Sequence, residues 1–450
     1  MSTSEILDVR LERFDTPIGH LTREESDACV FLYTDDYLKK NDAIPISLSL
    51  PLQSNAFTDQ STRAFFDNLL PENNQLQDMM DREAISRDDI VGLLKHLGGD
   101  CSGAISCIPQ DAPPIKIPGN IDTDYFELST ENLTDIMRRL ADKLPLPDEV
   151  RDPSPVAGVQ RKIALTQIQP DRFGFPKDKL RVPTTHILKV PSRGREREVK
   201  QEAVAARLAR DVVGHAIAFP AEFKRGQEIG LLIKRYDRHV SANGSVTRLH
   251  LEDFCQALGL PARLKYERRG TPDRHFSASK INEVLGQTNA PALNRLIFLR
   301  IAIFNLAIGN TDNHAKNHAL IYDQGPTPRL APLYDMLPIR LSDDYTHELS
   351  FKIGEAKTFD EISPLDLTKF IQMFGPKSKL AIRRIVEKEI GPMLQHLDQT
   401  AVELASLGLK DFDDLIGREI ASLADLLDLK ISIRERDYFT PQGGGWTLNS

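Results

Sequence analysis

Between residues 309 and 323 the chain reads GNTDNHAKNHALIYD, and six consecutive positions there hold Asp312, Asn313, His314, Lys316 and Asn317. These side chains serve as general bases, metal ligands and phosphate ligands, and a surface loop rarely gathers so many. Asp312 and Asn317 stand five apart. Phosphoryl transfer uses that spacing: an Asp accepts the proton of an attacking hydroxyl and an Asn holds Mg²⁺. Lys316, four residues after the Asp, is placed to neutralise charge on a transferred phosphate. The pattern D-x-x-x-x-N recurs by chance, so other residues must support it.

Two further spacings do. HALIYDQGPTPRLAPLYD reads as two strands around a turn at Gly325-Pro326, and Asn317 and Asp335 lie nearly equally far from that turn. An antiparallel hairpin would set them side by side at its open end. An amide oxygen beside a carboxylate suits a Mg²⁺ that bridges phosphates; the plainer alternative is an Asp335 that caps the next turn. Lys189 sits on a predicted strand, THILKVP, and Glu202 on the helix after it. A Lys that grips phosphates while a helix Glu holds it is a recurring device in such enzymes, although exposed strand lysines are common. PVAGVQRK would then be the phosphate loop, with a lone Gly158 that fits neither G-x-G-x-x-G nor a Walker motif.

The elements that must position these residues fall into three parts. Residues 1–110 read as a mixed α/β unit. ACVFLYTDDYL and AIPISLSLPL alternate like strands, and helical periods run through TRAFFDNLL and DDIVGLLKHL. Residues 111–240 hold the strands KIALTQIQ and THILKVP around a turn-rich loop, PDRFGFPKDKLRVP. An amphipathic helix stopped by Gly214 comes next, then the strand EIGLLIKRYDR. Residues 241–450 are mainly helical, from LHLEDFCQALGL onward, and include LNRLIFLRIAIFNLAI, apolar almost all round. The expected fold class is α+β: a two-lobed, protein-kinase-like arrangement with an additional N-terminal subdomain, a mixed α/β N-lobe and a mainly helical C-lobe. The tail TPQGGGWTLNS carries the only Trp, Trp446, docked loosely on its own domain or held for a partner.

Composition narrows the function. The 450 residues carry 57 Lys+Arg against 65 Asp+Glu, a net charge of −8. A protein whose main work is gripping nucleic acid is usually basic, so DNA contact is expected to be local or borrowed. Four scattered cysteines show neither metal nor redox spacing. No apolar run reaches the roughly twenty residues of a membrane span, and the opening residues lack the order of a signal peptide. A cytoplasmic protein without membrane contact is the expectation.

The chain resembles the HipA-type toxin kinases, the serine/threonine kinase half of bacterial toxin–antitoxin pairs. FFDNLLPEN and LGGDCSGAI resemble the family's N-terminal subdomain. VAGVQRKIAL, THILKVP and IKRYDR resemble its nucleotide-binding lobe, and EDFCQALGLPARLKYERRGTP, GNTDNHAKN and LAPLYDMLP its helical lobe. The resemblance implies Asp312 as catalytic base and Asn317 and Asp335 as Mg²⁺ ligands. Lys189 is implied as the phosphate-binding strand lysine, with Glu202 as its supporting ion-pair partner. For the phosphate loop it implies Ala157, Gly158, Val159, Gln160, Arg161 and Lys162. Lys234, Arg235 and Tyr236 match the hinge at adenine, and His314, Lys316 and Tyr334 complete the ATP contacts. Cofactors would be ATP and Mg²⁺. Partners would be a HipB-type helix-turn-helix antitoxin, operator DNA mainly through it, and an aminoacyl-tRNA synthetase, glutamyl-tRNA synthetase first, as substrate.

Two departures stand out. The family often has a Ser before Val-Ala-Gly, where autophosphorylation silences the enzyme; here Pro155 stands there and Ser154 lies one earlier. Lys234 replaces a hinge Glu. A kinase-shaped co-repressor without transfer activity, and a small-molecule or lipid phosphotransferase, are the alternatives.

Overall fold

The computed structural model describes residues 5–70, 74–146, 162–177, 181–323 and 325–437. Ser154, Pro155, the Ala157 to Arg161 stretch and Trp446 lie outside the described residues.

In the N-terminal unit, period-two alternation puts Leu7, Val9 and Leu11, and likewise Phe31 and Tyr33, on one buried face. Their antiparallel sheet runs Cys29–Tyr33, Gly19–Arg23, Glu5–Leu11, Ile105–Pro109. Helices Asp59–Asp67 and Ile90–Leu97, capped by Thr58 and Asp89, close its core with Phe65, Phe66, Val91 and Leu94. AIPISLSLPL, expected as a strand, is not one. Its Ile44, Ile46 and Leu50 are buried as the alternation predicts. The backbone, however, bonds to side chains rather than to a neighbouring strand. Ile44 N–H donates to the Tyr37 hydroxyl at 3.0 Å, Ile46 N–H to the Tyr33 hydroxyl at 2.9 Å and Leu48 N–H to Glu252 at 3.0 Å.

A second sheet runs Pro220–Arg225, Glu228–Lys234, His186–Lys189, Lys162–Gln169, Arg172–Pro176, Tyr125–Glu127. Arg172–Pro176 lies inside the stretch expected as a loop. It turns back on Lys162–Gln169 through Asp171 (φ 61°) and buries Phe173 and Phe175. The Ser129-capped helix Thr130–Ala141 covers one face with Leu133, Ile136, Met137 and Leu140. Its spacing shows plainly in the sequence, yet it is not among the expected elements. On the opposite pleat, Lys189 pairs with Lys162 on one side and Leu231 on the other.

The largest core is helical, built around Pro291–Ala307, eleven of whose residues are buried. Helix Glu196–Val212 comes after His186–Lys189 in the chain but gives Val204, Ala205, Leu208 and Ala209 to this core. It stops at Gly214, φ 72°. LHLEDFCQALGL, expected as a helix, is half strand: His250–Asp253 pairs with Ala319–Tyr322, and only Phe254–Ala257 is helical. HLED alternates His250 and Glu252 inward with Leu251 and Asp253 outward, a strand period. Among the described residues no helix is long and apolar enough to cross a membrane.

Glu252 joins the N-terminal unit to this body. It is fully buried and accepts from the Ser47 hydroxyl (2.5 Å), the Leu48 amide (3.0 Å) and the Tyr322 hydroxyl (2.5 Å). Burial pushes its carboxyl from 4.5 up to about 7 despite those three donors. The folded value exceeds the unfolded one, so this group's stabilisation is complete below pH 4.5 and lost as pH rises through about 7. Thermal midpoints are expected to fall across that window, and Glu252→Gln to flatten that part of the profile.

Candidate active site

The polar crowd at 309–317 arises because a buried helix must stop without burying unpaired groups. Gly309 takes φ 69°, and a Cβ there would lie 2.7 Å from Leu415. Asn310 then bonds back to the helix, its amide nitrogen donating to Asn305 Oδ1 at 2.8 Å, while its own Oδ1 accepts from Asp312 N–H at 3.1 Å. Asn317 Nδ2 donates to the Asp312 carbonyl at 2.8 Å. Ala315 N–H donates to the Lys265 carbonyl at 3.1 Å. Asp312 and Asn317 are therefore strapped to each other, with the Asn317 amide oxygen turned away from the strap. Asp312 is part-exposed and accepts from the Tyr266 hydroxyl at 2.8 Å.

Tyr266 is the contact of Asp312 that sequence reasoning missed. Its ring meets His314 edge-on at 5.1 Å, and the Arg268 and Arg269 guanidinium groups lie 4.1 and 5.0 Å from its centroid. Burial, then the adjacent Asp312 charge, pushes its phenol well above the ordinary value, so it stays a donor to the carboxylate. The only sequence signal was a lone Tyr among cations in ARLKYERRG, 46 residues from the Asp it meets.

Lys189 Nζ donates to Glu202 Oε1 at 2.8 Å and to Asp335 Oδ1 at 2.5 Å. Burial opposes its charge; the two carboxylates outweigh that and hold it charged above the ordinary range. The Lys189 charge in turn holds Asp335 down at about 2, while burial raises Glu202. Asp335 is 41% exposed at the side chain and sits at φ 61°, an uncommon backbone for a non-glycine residue and the kind of local strain that collects at working sites.

The expected hairpin forms, but in another register. Leu320 pairs with Leu330 and Ile321 with Arg329, which sets Asn317 level with Leu333 rather than Asp335. Pairing ends at Ala319 and Ala331, because Leu333 exchanges backbone bonds with Ala216 and Ala218 instead. Asp335 reaches the site through its turn to Lys189.

Other expected contacts are occupied differently. Lys316 donates to Asp253 at 2.7 Å and to Asn68 at 3.0 Å, not outward. Arg235 forks onto Asp237 at 3.1 and 2.9 Å, and Arg238 joins the same carboxylate, so Arg235 is an internal ion pair. Lys234 is exposed. Tyr236 and Tyr334 stack at 5.7 Å beside Ile321 and Leu251, an apolar patch next to the connection after Lys234. His314 is buried, and its Nδ1 has no hydrogen-bond partner among the described residues.

These groups would suit a metal-bound nucleotide. Lys189 and Lys162 offer charge to phosphates, the stacked tyrosines an apolar seat, and Asn317 with Asp335 two hard oxygens. Among the described residues no three His, Cys, Asp or Glu side chains gather as a metal cage. A cation here would complete its shell with phosphate and water. Lys189→Met is expected to raise the Asp335 carboxyl, since the charge that lowers it most is then gone. Carboxyl NMR titration reads this; a value still near 2 would place the holding charge elsewhere.

Comparisons with known proteins place the chain in a family. Residues 154–401 match the family model of the HipA-like C-terminal domain, and residues 7–108 that of the HipA N-terminal domain. The chain is 32% identical to the putative kinase Y4mE of Sinorhizobium fredii, over 88% of its own length and 91% of that protein. It is 28% identical to the serine/threonine-protein kinase toxin HipA of Shewanella oneidensis, over 86% and 87%. Its shape is similar to a chain in the Shewanella oneidensis MR-1 complex of HipA, HipB and operator DNA. There the TM-score is 0.75 at 24% identity, over 94% of this chain and all of that one. The fold is thus the α+β, two-lobed kinase arrangement, and by these matches the chain is a protein kinase of the HipA family.

Proposed function

We propose that this kinase transfers the γ-phosphoryl group of ATP, with Mg²⁺, to a serine or threonine hydroxyl of an aminoacyl-tRNA synthetase, glutamyl-tRNA synthetase first. Such transfer would arrest translation and growth. The observation that carries the reading is Lys189 held between Glu202 and Asp335 while Asn317 is strapped to Asp312.

In this reading Asp312, held by the Tyr266 hydroxyl, accepts the proton of the attacking hydroxyl. Lys189 orients the phosphates, as does Lys162 beside it in the sheet. Asn317 and Asp335 hold the cation, whose charge lowers the cost of charge build-up on the transferred group. Tyr236 and Tyr334 seat the base. Positioning and charge neutralisation are most of what this chemistry requires.

We further propose a HipB-type antitoxin as the neutralising partner, through which the pair represses its own operon. The Shewanella complex contains HipA, HipB and operator DNA. The −8 net charge suits a chain that leaves most DNA contact to its partner. Autophosphorylation is assigned to Ser154, with Pro155 in the position a family Ser often takes.

Incubation with Mg-ATP and purified glutamyl-tRNA synthetase is expected to label the synthetase. Asp312→Asn is expected to abolish transfer and keep nucleotide binding. Equal rates for wild type and variant would remove the site assignment; no transfer by either would remove the substrate and favour the co-repressor reading. Tyr266→Phe removes one donor to Asp312 and is expected to lower kcat about tenfold or more with little change in nucleotide affinity, checked by steady-state kinetics.

A further inference from the structure

Two adjacent residues of the N-terminal unit reach both flanks of the loop that carries Asp312 and Asn317. Asn68 ends helix Asp59–Asp67 and is 5% exposed. Its Oδ1 accepts from Lys316 Nζ at 3.0 Å, and its Nδ2 donates to the carbonyls of Ala64 (2.7 Å) and Leu260 (2.8 Å). Lys316, 7% exposed at the side chain, precedes Asn317 and also donates to Asp253 at 2.7 Å. Its carbonyl accepts from the Tyr334 hydroxyl at 2.8 Å, one residue from Asp335. Asp67 takes the other flank. It accepts from Ala262 N–H at 3.2 Å, at the head of the turn whose Lys265 carbonyl receives Ala315 and whose Tyr266 holds Asp312.

We propose that Asn68 is a positioning residue for phosphoryl transfer, and that the N-terminal unit thereby sets the geometry of the loop carrying Asp312 and Asn317. A buried ammonium that loses an acceptor must move toward those that remain. Lys316 is joined to Asn317 by one peptide bond, so its displacement carries the amide oxygen with it. Transfer tolerates little of this, because a misplacement of about 1 Å costs roughly a hundredfold in rate. The N-terminal unit is then part of the catalytic machinery rather than an appendage, and whatever strains it is felt at the site. The inference rests on Asp312 and Asn317 as the transfer site.

The two atoms of the Asn68 amide separate the roles. Asn68→Asp keeps an oxygen for Lys316 and loses the donors to Ala64 and Leu260; Asn68→Leu loses both. In the full chain, well below each thermal midpoint, both variants are expected to be less stable. Only Asn68→Leu is expected to lose about tenfold or more in kcat for transfer from Mg-ATP to glutamyl-tRNA synthetase, with a smaller change in KM for ATP. Hydrogen exchange across 310–318 is expected to quicken in the same variant, a readout that needs no substrate. If Asn68→Leu does not accumulate folded, Asn68→Ser, too short to reach Lys316, takes its place. Wild-type kcat and exchange in Asn68→Leu, or equal losses in both variants, would overturn the proposal. An Asp312→Asn control that still transfers at the wild-type rate would instead remove the site reading on which it rests.

Discussion

One part-buried ammonium ties three parts of this chain together. Lys189 comes from the second sheet, Glu202 from a helix packed in the helical core, and Asp335 from the turn after the hairpin. An unpaired charge in that position would be costly, and an ammonium between two carboxylates is held protonated. The sheet, the helix and the turn are therefore not independent. Moving any one of them leaves a charge short of its partner.

The same logic explains why so polar a loop succeeds so apolar a helix. Helix Pro291–Ala307 is buried nearly all round, so its end has no water to satisfy backbone groups. The backbone amides of Ile308, Gly309 and Asn310 take its last carbonyls, and the side chains of Asn310, Thr311 and Asn317 pair the loop that follows. The loop gains a fixed shape, and Asp312 is left part-exposed with one phenol donor. On the proposed reading, rigidity and function have a common origin: the groups that pair the loop internally also aim Asp312 and Asn317.

Local pattern carried much of this into the sequence. Strand Glu228–Lys234, helix Glu196–Val212 with its Gly214 stop, and the buried helix are legible from period and punctuation. The spacing of Asp312 and Asn317 is local too, closed by one side chain on one carbonyl. What escaped is non-local. The contact of Tyr266 with Asp312 depends on a turn pinned by Asp67, and the hairpin register depends on Leu333 being drawn to Ala216 and Ala218. Residues 43–52 alternate like a strand, but buried tyrosine hydroxyls and Glu252 replace the neighbouring strand. The charges of Arg235 and Lys316 look available in sequence and are bound internally in the fold. Amphipathic period identifies a face; it does not say which carboxylate waits on the other side.

The most direct test is calorimetric titration of wild type and Lys189→Met with a magnesium complex of a non-hydrolysable ATP analogue. If Lys189 orders the site, wild type binds, and the variant, still folded, loses about tenfold or more in affinity. Equal affinity in the two proteins would show that the nucleotide does not engage the Lys189–Glu202–Asp335 junction, and the account of the site would fail.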